Sequence, residues 1–374
     1  MRVRSARLDE LELPLVEPFE TSFGVERRRR LLLLRLEGES GETGVGECVA
    51  ARDPLYSSES VATARWILGT YLLPDVLSQE TPEPGAFLAR SRPLKGHPMA
   101  KAAVEMALWD LFAREGKAPL STVLGGRRRR VEVGVSVGIQ PSVDALVRRV
   151  ARYLDDGYHR VKLKVRPGWD AEPVAAVRRA FPDLRIWVDA NQAYPPDAGP
   201  SILRWATRSG VEQVEQPFQE RELEAHARLN RARRFRVCLD ESVVDRASLD
   251  EAMRRRALSS LNVKPGRVGG LEVSRELERV SAAGGIPAWV GGMLETGVGR
   301  AHAIALATLP NFVLPADLSA SNRYYRTEII DAPFELGPGS TLAVPRGAGI
   351  GVALDERAIS RVRRRSRLYR APRT

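Results

Sequence analysis

Cysteine is nearly absent: the 374 residues hold Cys48 and Cys238 alone, far apart. They build neither a disulfide framework nor a zinc-binding spacing, and free cysteines are usually ordinary buried residues. Long apolar runs are also missing, none approaching the ~18 residues that mark a bilayer span. The opening MRVRSARLDELELPL has no apolar core followed by a small-residue cleavage site. Neither secretion nor membrane insertion is therefore expected, and a cytoplasmic protein is. The four histidines, His97, His159, His226 and His302, show no ligand spacing and are expected to serve as structural hydrogen-bonding residues. GGLEVSRE (269–276) and GGMLETGVG (291–299) are rich in glycine but lack the Lys-Ser/Thr of a phosphate loop.

Positive charge is in surplus, at +11, with arginine runs at 27–30, 127–130, 254–256 and 363–365. The runs are scattered among acidic residues and come without a recognition helix or an aromatic RNA-binding signature, so specific nucleic-acid binding is not expected. A small-molecule partner is, in a homo-oligomer. A catalytically idle, basic barrel that binds nucleic acid stands as the non-enzymatic alternative.

The first forty-odd residues read as a β meander, and residues 57–126 as helices, MAKAAVEMALWDLFAREG among them. From Val131 a repeat begins. VEVGVSVG, HRVKLKV, LRIWVDAN, VEQVEQP, RVCLDES, LSSLNVKP, IPAWVGG and NFVLPAD follow one another at a step of about 25 residues, with helical stretches in most gaps. That is the pattern of a closed α/β barrel. A doubly wound open sheet would place a G-x-G-x-x-G after its first strand, and VGVSVGIQ has none.

Barrel chemistry sits at the C-terminal strand ends. Here these ends carry Lys162 and Lys164, Asp189 and Asn191, Glu215, Asp240 and Glu241, and Lys264. Asp189, Glu215 and Asp240 end three consecutive strands, which lie about 4.8 Å apart, so their carboxylates converge. Converging anions repel unless a cation neutralises them, and an all-oxygen set suits Mg²⁺, with Mn²⁺ as a substitute. Lys164 and Lys264 flank the group from opposite sides. Lys162, a neighbouring ammonium, is expected to make Lys164 a usable base. Such a set removes a proton next to a carboxylate while the metal holds the enediolate.

The segments KLK (162–164), VDAN (188–191), EQP (215–217), DES (240–242) and VKPGRVGG (263–270) resemble the muconate-lactonising branch of the enolase superfamily. PFETSFG (18–24), MAKAAVEMALWDL (99–111), VGVSVGIQ (133–140), GGMLETGVGRAH (291–302) and DLSASNRYY (317–325) narrow the resemblance to its o-succinylbenzoate synthase and N-succinylamino acid (N-acylamino acid) racemase group. The resemblance implies a modified (β/α)₇β barrel at 127–325. It also implies an α+β capping domain at 1–126 with a specificity loop at 19–30, and a segment 326–374 that returns to the cap. It implies Asp189, Glu215 and Asp240 as metal ligands and Lys164 and Lys264 as the acid/base pair, with Lys162 supporting. Asn191 and Glu241 would brace the metal site, and Phe19, Phe23, Ser136, Gly292, Met293 and Tyr324 would line the substrate pocket.

Two reactions are implied: syn dehydration to o-succinylbenzoate for menaquinone synthesis, and two-base racemisation of N-succinylamino acids. A cycloisomerase or a dipeptide epimerase of the same branch is the alternative. Against the epimerase, Asp317-Leu318-Ser319 stands where such enzymes carry Asp-x-Asp. Against the mandelate racemase branch, Lys264 stands where those enzymes use a His–Asp pair.

Overall fold

The computed structural model describes residues 1–372. Three antiparallel strands open the chain, β1 (Val3–Thr21), β2 (Gly24–Gly38) and β3 (Thr43–Cys48). The free edge of β1 is taken by the last strand of the chain, Arg363–Arg370, so the basic C-terminal run completes a four-stranded sheet. Alternation along β2 gives the sheet two dry faces. Leu32, Leu34 and Leu36 pack toward helices Val61–Ile67, Leu73–Ser78 and Pro98–Glu115, while Leu31 and Leu33 join the apolar cluster shared with the barrel.

Close approach of β3 to the helix Pro98–Glu115 depends on two glycines. A Cβ on Gly46 would lie 2.0 Å from the carbonyl oxygen of Ala103, and one on Gly44 2.1 Å from that of Ala107. Gly46→Ala is expected to destabilise the protein by about 1–3 kcal/mol through forced separation of strand and helix. The readout is the urea midpoint; an unchanged midpoint would show that the two elements part without strain.

After β4 (Arg130–Glu132), which pairs with Thr341–Ala343, seven parallel strands run in sequential order. They are β5 (Val135–Val137), β6 (Arg160–Lys164), β7 (Arg185–Asp189), β8 (Gln213–Glu215), β9 (Arg236–Leu239), β10 (Ser260–Val263) and β11 (Ala288–Val290). Amphipathic helices occupy the gaps, several with capped starts: Ser142 accepts from Ala145 N, and Asp245 from Ser248 N. The expected eighth strand, NFVLPAD, forms no regular ladder, because Pro315 has no N–H to give one. The segment still closes the barrel by single bridges, Ala288 with Phe312 on one side and Ala316 with Val133 on the other. The architecture is thus the expected (β/α)₇β barrel with an N-terminal strand-rich unit. No described helix is long and apolar enough to cross a membrane.

Two buried carboxylates of the N-terminal unit dock on the first turns of barrel helices. Glu105 accepts from Leu271 N and Glu272 N, both at 2.8 Å, and from the Trp109 indole N–H at 2.8 Å. Glu47 accepts from Thr296 N at 3.2 Å and Gly299 N at 3.1 Å. Helix N-termini favour such anions, but burial outweighs the N–H donors and pushes Glu105 up to about 8 and Glu47 up to about 7, from an ordinary 4.5. The folded protein therefore retains protons that the unfolded chain releases above pH 4.5. Stability should fall as pH rises from about 4.5 toward 8, and Glu105→Gln should flatten part of that slope. Urea midpoints from pH 5 to 8 test this; an equally steep slope in the variant would remove Glu105 from the account.

Candidate active site

The strand β6 is buried at all five positions. Val161 and Leu163 enter the outer apolar cluster, so alternation turns Arg160, Lys162 and Lys164 to the opposite face, inside the barrel. Three cations stacked in a dried interior need carboxylates, and each has them. Arg160 donates to Asp317 Oδ1 at 2.7 Å and to the carbonyls of Pro315 (3.1 Å) and Ala316 (2.8 Å), with its guanidinium 4.4 Å from the Trp187 ring centroid. Lys162 Nζ lies 2.8 Å from Glu215 Oε2, 2.8 Å from Asp317 Oδ2 and 3.3 Å from Asp189 Oδ2. Lys164, at the strand's C-terminal end, donates to Asp189 Oδ2 at 2.7 Å and Asn191 Oδ1 at 2.6 Å.

Register brings the acids together. Asp189 pairs across the sheet with both Lys164 and Glu215, and Asp240 follows β9 directly. Each acid is braced: Asn191 N donates to Asp189 Oδ1 at 3.0 Å, Asn262 Nδ2 donates to Glu215 Oε1 at 2.7 Å, and the Gln216 side-chain oxygen accepts from the backbone N–H of Asp240 at 3.0 Å. Asn191, in the left-handed region at φ 43°, donates to Glu241 Oε1 at 3.1 Å. Lys264 approaches from the far side of the group, at the end of β10 with three strands between it and β6, and its Nζ lies 2.5 Å from Asp240 Oδ2 and 3.2 Å from the Tyr56 hydroxyl.

Burial opposes the charge on Lys162, but Asp317, Glu215 and Asp189 outweigh it and hold its ammonium well above the ordinary lysine value. Its positive charge is thus committed to a carboxylate cage rather than offered freely to Lys164. Asp317, resisted by burial, is held well below the usual carboxylate range by Lys162 and Arg160. Burial and the Asp189 carboxylate push Glu215 up to about 7, and burial with Asp240 pushes Glu241 up to about 8.

Among the described residues, no three His, Cys, Asp or Glu side chains are gathered tightly enough to hold a metal as they now stand. Lysine ammonium groups lie between Asp189, Glu215 and Asp240 and form the bonds described above. The donor chemistry nonetheless fits a hard divalent cation: three buried carboxylates on adjacent strands, each already held by an ammonium group, and beside them a buried oxygen, Glu241 Oε2, that has no hydrogen-bond donor among the described residues. A cation would take over Asp189 and Asp240 from the two lysines.

Above this layer opens a cavity of about 370 Å³, with Lys162, Lys164, Lys264 and Asn191 at its floor. The six pocket residues expected from the sequence all line it: Phe19, Phe23, Ser136, Gly292, Met293 and Tyr324. Phe19 meets Tyr324 edge-on at 6.2 Å between ring centroids, and Ser136 Oγ donates to Asp317 Oδ2 at 2.6 Å. A Cβ on Gly292 would lie 2.7 Å from the Asp317 carbonyl oxygen, so a side chain there would push the eighth segment away. Phe23 packs on Tyr56 with centroids 5.7 Å apart, and Ser22 Oγ donates to the Asn191 carbonyl at 3.2 Å, fastening the β1–β2 turn to the barrel.

Sequence reasoning missed Asp317, Tyr56, Arg160, Arg267 and Asn262. Asp317 was visible as the polar end of the eighth segment, and Arg160 and Asn262 share strand faces with Lys162 and Lys264. Tyr56 lies in a cap loop with no periodic signal. Arg267 Nη2 lies 3.1 Å from Asp240 Oδ1, and Arg267 sits in the short helical turn Pro265–Val268 that follows Lys264. The histidines stay outside the site: His302 contacts the carbonyls of Val298 and Met106 at 3.0 Å each, and His226 that of Glu222 at 2.8 Å.

Residues 5–125 match the N-terminal domain of mandelate racemase and muconate lactonizing enzyme, and residues 145–358 match the enolase C-terminal domain-like family. The chain belongs to the enolase superfamily, in its muconate-lactonising branch. It is 46% identical over 362 residues to N-succinylamino acid racemase of Thermus thermophilus, covering 97% of both chains. It is 40% identical over 365 residues to o-succinylbenzoate synthase of Geobacillus kaustophilus, covering 97% of this chain and 96% of that one. The crystal structure of an enolase superfamily member from Listeria innocua, 37% identical, superposes with a TM-score of 0.94 over the whole of both chains. These similarities make the chain a member of an enzyme family. The arginine runs, for their part, are largely spent internally: Arg28, Arg30 and Arg364 converge on Glu12, Arg254 and Arg255 pair with Glu251, and Arg128 caps carbonyls of residues 307–312.

Proposed function

We propose that this superfamily member removes the proton α to a substrate carboxylate, as an o-succinylbenzoate synthase, an N-succinylamino acid racemase, or both. The observation that carries this reading is the placement of Lys164 and Lys264 on non-adjacent strands, facing one cavity from opposite sides above three buried carboxylates. Asp189, Glu215 and Asp240 would hold Mg²⁺, or Mn²⁺ in its place, with Asn191 and Glu241 bracing them. The cation would supply Lewis-acid stabilisation of the negative charge that builds on the substrate carboxylate.

Lys164 takes the α-proton on one face. For dehydration it returns that proton to the departing hydroxyl, while Lys264 steadies the enediolate electrostatically. For racemisation Lys264 delivers a proton to the other face. Phe19, Met293 and Tyr324 exclude water from the acyl arm. Asp317 speaks against a dipeptide epimerase, because Lys162, Arg160 and Ser136 already engage both of its oxygens and leave little for a substrate ammonium group.

The test compares kcat/KM for 2-succinyl-6-hydroxy-2,4-cyclohexadiene-1-carboxylate with that for a series of N-succinylamino acids. Activity on one or both, abolished by EDTA and restored by Mg²⁺, is expected; values at background for both would retire the assignment. Indifference to EDTA would remove the metal.

A further inference from the structure

The arginine run of β2 contributes one cation that nothing in the described protein neutralises. Arg28 Nε lies 2.7 Å from Glu12 Oε1, Arg30 Nε 2.8 Å from Glu12 Oε2, and Arg29 Nη1 3.2 Å from Glu26 Oε1. Arg52, across the cavity mouth, has Asp53 at 3.9 Å. Arg27 lines the same cavity as the lysine floor, is exposed, and among the described residues has neither an ion-pair partner nor a side-chain hydrogen bond. Alternation along β2 puts it on the same face as Val25, another cavity-lining side chain that is 49% exposed.

We propose that Arg27 is a specificity-determining residue that binds a second anionic group of the substrate, a carboxylate on the arm remote from the carbon that loses its proton. This rests on the proposed function. One carboxylate of the substrate belongs at the floor, where Lys164 and Lys264 are engaged in proton transfer. Above it Phe19, Met293, Leu55 and Tyr324 carry no charge, and the other cavity-lining arginines, Arg28, Arg29 and Arg52, have acidic neighbours. A guanidinium presents a planar fork that matches a carboxylate through two parallel hydrogen bonds, and an unpaired one has both of its hydrogen-bonding edges free for such a ligand. The same charge repels a cationic arm. The favoured substrates are therefore dianions, with acyl arms ending in a carboxylate, over equally long arms ending in a methyl group.

The experiment measures kcat/KM for N-succinyl-L-phenylalanine and N-butyryl-L-phenylalanine with Mg²⁺ present, in the wild type, Arg27→Gln and Arg27→Lys. In parallel, calorimetry measures binding of both ligands to Lys164→Ala and to Lys164→Ala combined with Arg27→Gln. The ratio of succinyl to butyryl kcat/KM is expected to fall roughly ten-fold in Arg27→Gln, through KM, with partial recovery in Arg27→Lys. A ratio that Arg27→Gln leaves intact overturns the proposal. If the wild type turns over neither ligand but Arg27 still sets the binding preference, the reaction assigned above fails and Arg27 stands. Turnover with a preference independent of Arg27 sinks Arg27 alone, and a protein that neither binds nor turns over either ligand overturns both.

Discussion

Lys164→Ala is expected to lower kcat by about 10³-fold or more for dehydration and for racemisation alike, since it removes the group placed to take the α-proton. Hydrogen-bond neighbours cannot substitute. Of the partners of Lys164, Asn191 is an amide and no base, and Asp189 is a far weaker base than a lysine amine. The two-sided placement of the lysines makes a sharper prediction for the racemase. In D₂O, Lys164→Ala should still exchange the α-proton of one N-succinylamino acid enantiomer, the one whose C–H bond faces Lys264, and Lys264→Ala should exchange only the other. Proton NMR of each enantiomer checks this. Exchange of both enantiomers by either variant would show that the two lysines do not divide the faces between them.

Arg160→Ala should be the most damaging of the structural substitutions, at about 3–5 kcal/mol. Arg160 is fully buried, and its guanidinium ties together Asp317 Oδ1 and two carbonyls of the segment that closes the barrel without a regular ladder. Removing it leaves Asp317 with Lys162 and Ser136 and leaves the Pro315 carbonyl without the N–H that now serves it. Arg160→Met, which retains the packing against Trp187, should be destabilised in the same direction but less. Equilibrium urea unfolding of both variants decides; a loss under about 1 kcal/mol for the alanine would mean that the bridges Ala288–Phe312 and Val133–Ala316 close the barrel unaided.

Much of the candidate site is legible in the sequence. The recurrence of strand-like segments located each acid at a strand end, and alternation in VKLKV put two lysines on one interior face, because a parallel barrel strand has no solvent-facing side to hide them on. The motif resemblance then named the pocket residues, and all six line the cavity. What stayed hidden were residues whose neighbours are distant in the chain. Asp317 reads as an ordinary loop acid until it is seen to be the counter-ion of both Arg160 and Lys162. Tyr56 belongs to the N-terminal unit, and only the docking of that unit carries its hydroxyl to 3.2 Å from Lys264 Nζ.

The sequence by itself determined the order of the strands, which charges end them, and the superfamily, because periodicity and local motifs are properties of neighbouring residues. Tertiary structure alone decided how those charges are distributed. It engaged Lys162 with Glu215 and Asp317 and left Arg27 without a partner among the described residues, while its three neighbours along the strand found carboxylates. Ion pairing depends on separations of a few ångströms between side chains far apart in sequence, and those distances are set only when the barrel closes and the N-terminal sheet settles over it.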